Sequence, residues 1–359
     1  MRSTDTAVQP IQMRSNPLDL AGDVLDKMLN FEIKGNAEYA GLEIQVFDDE
    51  IHGRGMLVFL SRAKDGRIDV YHEPDLRLDP AGYAIGNGLG EWRETHFAPA
   101  RFELHDDGVD VDVGFRDHAG RPIRIVIDDR SGNTRNPASL LAPMGAAIRR
   151  PNRLPLVWMS RFDLVRRGGH VEVSIDGSRV RIGRLPGSVF HRRELVKYAS
   201  DLFVVSVNPA YDGPIRAPLF SDVSIATGTH NARLEIDESS LLEDLVDLEQ
   251  TQSRWRLIVD DAVDLVGGSW SARKTGSRLT LDMDVLDGWR PKRLPPFMRL
   301  VTTVVALFRT WPTTYRWHAE IELHRGWMIS GWERTDVRGD AAYQSLTSPP
   351  APKNRRTGH

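Results

Sequence analysis

Over much of this chain apolar side chains recur at every second position, and the alternating runs are joined by dipeptides suited to tight turns. Successive residues of a β-strand point to opposite faces, so a period of two marks a ribbon with one side buried. Val171-Glu172-Val173-Ser174-Ile175, then Asp176-Gly177, then Ser178-Arg179-Val180-Arg181-Ile182 is the clearest instance. Asp-Gly accepts the positive φ of a two-residue hairpin turn, so the two runs are predicted to pair.

The same grammar recurs elsewhere. Val109, Val111, Val113 and Phe115 alternate with Asp110, Asp112 and Gly114. Asp107-Gly108 separates this run from Arg101–His105, and a loop with Gly120 leads on to Ile123, Ile125 and Ile127. Towards the C-terminus, Leu279, Leu281, Met283 and Val285 alternate, as do Tyr315–Leu323; Arg325-Gly326 then precedes Trp327–Glu333. Short turns between successive strands, with no βαβ alternation, predict a mainly β fold of two antiparallel barrels or sandwiches with a few short helices.

Three stretches break the period. Pro17 opens a segment in which Leu18, Ala21, Leu25, Met28 and Leu29 have helical spacing. Ser240-Leu241-Leu242-Glu243 reads as a capping box for a short helix to Leu248. Phe297–Phe308 reads as a helix or a buried strand. The expected layout is an N-terminal arm and helix over 1–30, a first β domain over 31–187, a second over 188–335, and a disordered tail over 336–359.

Composition narrows the function. With 47 basic and 50 acidic side chains interspersed, the net charge is −3, and no field draws in nucleic acid, which is not an expected partner. The absence of cysteine excludes disulfides, thiolate metal sites and a cysteine nucleophile. Met1–Met13 lacks the apolar core of a signal peptide, so a cytoplasmic protein is expected. Phe297–Phe308 is too short to span a bilayer; with Lys292, Arg293 and Arg309 beside it, it suits either transient contact with a membrane surface or, as the default, burial in the fold. The glycines of Gly86-Asn87-Gly88-Leu89-Gly90 match neither the dinucleotide fingerprint nor a phosphate loop, and no nucleophile elbow or helical zinc-protease signature occurs.

Two β-rich halves, with tryptophan-bearing segments such as Leu156-Val157-Trp158-Met159-Ser160 and Gly331-Trp332-Glu333, resemble the carotenoid 1,2-hydratase and related cyclase group over roughly Phe31–Arg334. The resemblance implies paired lipocalin-like barrels. It also implies an apolar substrate, isoprenoid, lipid or polyketide-like, that acidic side chains hydrate, cyclise or isomerise without a required cofactor. No catalytic residue of that group aligns to a position here, so none is carried over. A carrier that holds such a ligand without transforming it is the alternative.

Four groups of residues are candidates for the chemistry. Arg316, His318, Glu320, Glu322 and His324 share one side of the Tyr315–His324 run, where imidazole and carboxylate would handle protons or bind a divalent ion. The wholly apolar opposite side favours a solvated, ion-paired face instead, so no metal is expected. Glu94 and His96 share strand parity beside Trp92 and form a possible acid–base pair or an exposed stretch. Asp163 shares a mostly apolar face with Arg161, Val157, Met159 and Val165, which suits a structural ion pair or a pocket acid. Trp92, Trp158, Trp317 and Trp332 are the aromatic candidates for lining a ligand pocket, weighed against simple core packing.

Overall fold

The computed structural model describes residues 13–83, 87–143, 149–166, 168–185, 193–216, 220–237, 250–261, 263–289, 299, 302–303 and 311–335. The helix expected over Ser240–Leu248 and, but for three residues, the helix or buried strand expected over Phe297–Phe308 lie outside them, as does the tail from Asp336. Within them the chain is mainly β, as the alternation requires. No helix among the described residues is long and apolar enough to cross a membrane.

Three sheets carry the fold. The main sheet runs β5 (Leu89–Glu94), β4 (Ile68–His72), β3 (Gly53–Arg62), β2 (Tyr39–Asp49), β1 (Leu20–Lys34), β14 (Arg193–Val207), β10 (Leu154–Arg166), β9 (Ala138–Pro143), with β13 (Arg181–Ile182) also on β1. The second runs β12 (Ser178–Arg179), β11 (His170–Ile175), β8 (Pro122–Arg130), β7 (Gly108–Arg116), β6 (Ala100–His105). The third runs β15 (Tyr211–Pro214), β22 (Trp327–Arg334), β21 (Tyr315–Glu322), β20 (Arg278–Gly288), β19 (Val263–Thr275), β18 (Gln250–Val259), β17 (His230–Ile236), β16 (Val223–Thr227). All pairings are antiparallel except β4 with β5. The Asp176-Gly177 hairpin forms as expected, with Asp176 at φ 52° and Gly177 at φ 72°. Because β14 lies between β1 and β10, the main sheet draws strands from both sides of Pro186-Gly187.

The helix expected over Leu18–Leu29 is not formed: from Leu20 on, those residues enter β1, a 15-residue strand. The helical spacing has a physical source. Leu25 and Met28 belong to one hydrophobic cluster although three residues apart, and so do Met159 and Phe162 in β10 and Ala199 and Leu202 in β14. A regular strand cannot put residues three apart on one face, so inward and outward positions swap along a line across these three strands. At that line Asp201 takes φ 57°, and β10 shifts register against β9 between Met159 and Phe162. Such an irregularity re-aims side chains at the expense of local ladder bonds.

That swap lets one sheet face serve two partners. The second sheet covers Leu29, Phe31, Ile44, Val58, Leu60 and Val196 with Phe102, Val111, Val113, Ile125, Ile127 and Val173. The third covers Leu20, Leu156, Trp158, Phe203 and Val205 with Leu257, Trp270, Leu281, Met283, Trp317 and Trp332. A third cluster, including Met28, Phe47, Leu57, Phe59, Val70, Phe162, Leu164 and Ala199, floors the opposite, outer face; Leu76, Leu78, Tyr83, Leu185 and Trp289 pack on it. Burying each large apolar side chain contributes about 1.5–3 kcal/mol, which is why both faces of the central strands hold together.

Candidate functional site

The side chains singled out from the sequence do not converge. His318 and Glu320 lie on the solvent side of β21, where His318 Nδ1 is 2.9 Å from Asp282 Oδ1, Arg316 Nε donates to Asp284 Oδ1 at 2.6 Å, and Arg278 is 3.7 Å from Glu320. This is an exposed ladder of cross-strand pairs, each contributing about 0–1 kcal/mol. Trp317 and Trp332 are buried behind it against the main sheet, with Trp332 Nε1 donating to the Val207 carbonyl at 2.9 Å. Trp158 is buried edge-on to Trp289, ring centroids 5.7 Å apart. Glu94 and His96 are both exposed at the end of β5, with no hydrogen bond between them. Trp92 alone of the four tryptophans flanks the outer face, its ring 4.8 Å from His72 and 5.6 Å from Tyr83.

Asp163 is buried, but Arg161 is not its partner: Arg161 points outward and reaches Asp106 at 3.8 Å. Asp163 instead meets Arg193 at 2.5 Å and Arg135 at 3.8 Å. Arg135 Nη1 donates to Asp129 Oδ2 at 2.7 Å and to the Tyr198 hydroxyl at 2.8 Å, tying the second sheet to the main one. A partner came from a loop that sequence spacing does not reach. At the other end of the same core, Tyr39 donates to Asp117 at 3.1 Å and lies 3.3 Å from His118 Nδ1, while the His118 amide donates to Tyr71 at 2.9 Å. Burial, with Tyr71 and Asp117 beside it, raises the Tyr39 phenol well above its ordinary range, and burial pushes Tyr71 up to about 12. In both networks each buried carboxylate has a guanidinium: Arg121 for Asp117, Arg62 for Asp69, Arg135 for Asp129 and Arg193 for Asp163. Charges matched in this way fix two sheets together and leave none of these four cations over for a ligand.

One buried-side group is different. Strand register lines up Val70, Phe59, Glu43, Asn30, Lys197 and Leu164 in a single row across β4, β3, β2, β1, β14 and β10 on the outer face. The next row is Leu57, Gln45, Met28, Ala199 and Phe162. Four polar side chains, Glu43, Asn30, Lys197 and Gln45, therefore interrupt an apolar floor at its centre. Asn30 Nδ2 donates to Glu43 Oε2 at 2.9 Å, and Gln45 Nε2 donates to Glu43 Oε1 at 2.7 Å. Lys197 Nζ donates to Asn30 Oδ1 at 3.2 Å and, among the described residues, has no carboxylate within salt-bridge distance. Burial lowers the Lys197 ammonium below its ordinary pKa against the pull of Glu32 and Glu43.

Comparison with family models, with curated proteins and with solved structures finds no match. The geometry therefore stands alone. Desolvation favours the neutral form of the Lys197 amine, and the Asn30 amide links it to a carboxylate that two donors hold in place, an arrangement suited to proton transfer. Lys197, Asn30, Glu43 and Gln45 were not singled out from the sequence. The readable signal was an ammonium alternating with Leu195 and Ala199 on a face otherwise apolar; the partners come from strands far away in the chain.

No cluster of three or more His, Cys, Asp or Glu side chains suited to a metal occurs among the described residues. Two clefts stand out, of about 230 Å³ beside Lys27, Phe47, Glu73 and Phe102 and about 270 Å³ beside Arg254, Trp255, Asp264 and Asp287. Both have charged side chains in their walls.

Proposed function

We propose that this chain holds an apolar small molecule on the outer face of its main sheet and acts on it through the polar row Glu43, Asn30 and Lys197. The observation that carries the reading is the placement of that row within a floor of Phe59, Leu57, Phe162, Leu164 and Met28. Phe59, Leu57, Phe162, Leu164 and Met28 are 0–7% exposed beneath a covering that includes Leu76, Leu78, Tyr83, Leu185 and Trp289, so an isoprenoid, lipid or polyketide-like molecule takes the place of part of that covering, and the row supplies groups that orient it and exchange protons. Glu43 is pinned by two amide donors, so its carboxylate is preorganised, and Lys197 is linked to it through the Asn30 amide. The resemblance of strand pattern to the hydratase and cyclase group points to the same class of substrate. The cysteine-free composition suits a reducing cytoplasm.

Titration with Nile red tests the reading. Saturable binding with a blue-shifted emission is expected, weakened about tenfold by Phe59→Ala, a loss of about 1.4 kcal/mol of contact. Native mass spectrometry of protein from its own host is expected to show a retained apolar molecule. Absence of saturable dye binding in wild-type protein would overturn the proposal. Dye binding with a host ligand recovered unchanged after incubation with wild-type protein would leave a carrier in place of an enzyme.

A further inference from the structure

On the opposite, inner face of the main sheet, the geometry points to a second site: the cleft beside Glu73 binds a small monoamine with an apolar body. The cleft lies at the seam between the two covering sheets. The third sheet covers Leu20 and the second covers Leu29, and Lys27 falls between them on the face of Leu29. Strand register sets Lys27, Val46 and Met56 in one row, with Asp48 and Arg54 paired beside it. The Glu73 amide extends the row by donating to the Met56 carbonyl at 3.1 Å. From the other side Ala100 and Phe102 of β6, the edge strand of the second sheet, line the same space. Its volume is about 230 Å³. At about 30 Å³ per water that is room for about eight waters, and so for a molecule of about as many non-hydrogen atoms.

The charges in the wall select the ligand. Asp26, Lys27, Asp48, Arg54 and Glu73 all line the cleft. Lys27 Nζ is 3.1 Å from Asp26 Oδ2 and Arg54 Nε is 3.7 Å from Asp48 Oδ2, so these four cancel in pairs and Glu73 is left as the net charge. Among the described residues no cation lies within salt-bridge distance of it. Its Oε2 accepts from the Met56 amide at 2.7 Å, while its own carbonyl accepts from His72 Nδ1 at 3.0 Å and from the Leu76 amide at 3.2 Å. The carboxylate is therefore held in place before any ligand arrives, and an ammonium is the group that completes it. Val46, Met56, Phe102 and Ala100 take the apolar remainder. A second ammonium on the ligand would meet Lys27 or Arg54, whose aspartates are already engaged, and a carboxylate would meet the charge of Glu73. One amine on an apolar body is the chemistry that fits both the charge and the space.

Calorimetric titration of the full chain with phenethylamine at pH 7 and low salt tests this, with 3-phenylpropanoate and hexane-1,6-diamine as comparisons. Phenethylamine is expected to bind saturably, one molecule per chain, and each of the other two at least about tenfold more weakly. Glu73→Gln keeps an oxygen for the Met56 amide and removes only the charge, and is expected to weaken phenethylamine at least about tenfold. Arg54→Ala, at a side chain 84% exposed, leaves Asp48 without its cation and is expected to strengthen hexane-1,6-diamine binding about tenfold. No saturable binding of phenethylamine to the wild-type chain would overturn the assignment, and so would undiminished binding to Glu73→Gln. Equal binding of 3-phenylpropanoate would reduce the site to apolar filling, and equal binding of hexane-1,6-diamine would refute the monoamine. The three compounds on the wild-type chain decide the matter even if Glu73→Gln fails to fold.

Discussion

His52 gives the most direct link between this fold and a measurable pH dependence. It lies in the turn between β2 and β3, its Nε2 3.3 Å from Asp23 on β1 and its Nδ1 3.0 Å from Asp49, with the ring 4.9 Å from Phe47. The hydrogen bond to Asp23, opposed by burial and reinforced by Asp49, raises its pKa from 6.5 to about 9. At about 1.4 kcal/mol per unit, that shift sets a ceiling of about 3 kcal/mol. Asp23 is 43% exposed, so screening reduces the working figure to about 1–2 kcal/mol. The folded-state value is the higher one, so this contribution is fully present below pH 6.5 and is lost as pH rises through about 9. Asp49 is held below its ordinary value, so its share appears above 3.8 and is lost in acid. Urea unfolding of wild-type protein and His52→Gln at a series of pH values measures this. The stability gap between them is expected to shrink by about 1–2 kcal/mol between pH 6 and pH 9.5. A gap that stays flat or widens with rising pH, or an imidazole proton resonance titrating near 6.5, would refute the reasoning.

Other consequences are as concrete. Arg135→Met leaves Asp129 buried without its cation and is expected to cost about 3–5 kcal/mol in urea unfolding, with much of it recovered in the Arg135→Met, Asp129→Asn double variant. At Gly268 a Cβ would overlap the Asp284 carbonyl at the register shift between β19 and β20, so Gly268→Ala is expected to cost about 3 kcal/mol and loosen the third sheet in amide exchange. Of the seven tyrosines, Tyr39, Tyr71, Tyr83 and Tyr198 are raised chiefly by burial, and absorbance titration is expected to show them ionising only with unfolding. Lys197→Met removes a desolvated amine and is expected to raise the melting temperature, the opposite of the usual effect of a substitution at a partly buried site.

How much of this was legible in the sequence depends on how local the signal is. The hairpins at Asp107-Gly108 and Asp176-Gly177 were readable because alternation and turn chemistry agree within a dozen residues. The burial of Tyr315, Trp317, Ala319 and Ile321 behind an exposed His318 and Glu320 followed from parity alone. Strand β1 was not readable as a strand, because two partner sheets and an outer covering take apolar residues from both of its faces, and the swap near Asp26 puts Leu25 and Met28 on the same one. A mixture of period two and a single step of three imitates a helix.

The site was harder still, because what makes it is register between distant strands. Asn30 and Lys197 are 167 residues apart, and only the pairing of β1 with β14 brings them together. Asp163 shows the same limit from the other side: its burial was visible in the pattern of β10, whereas its partners Arg193 and Arg135 come from another strand and from a loop. The two cases then diverge. Around Asp163 and Asp117 long-range register supplies each acid with a guanidinium, and local pattern and tertiary partners end in agreement. Around Lys197 it supplies an amide and a carboxylate already engaged by two donors. A desolvated amine left in that state weakens the fold without specifying it, and consistency across levels is what makes a sequence fold. A conflict that persists at the centre of an apolar floor is therefore where function is to be sought.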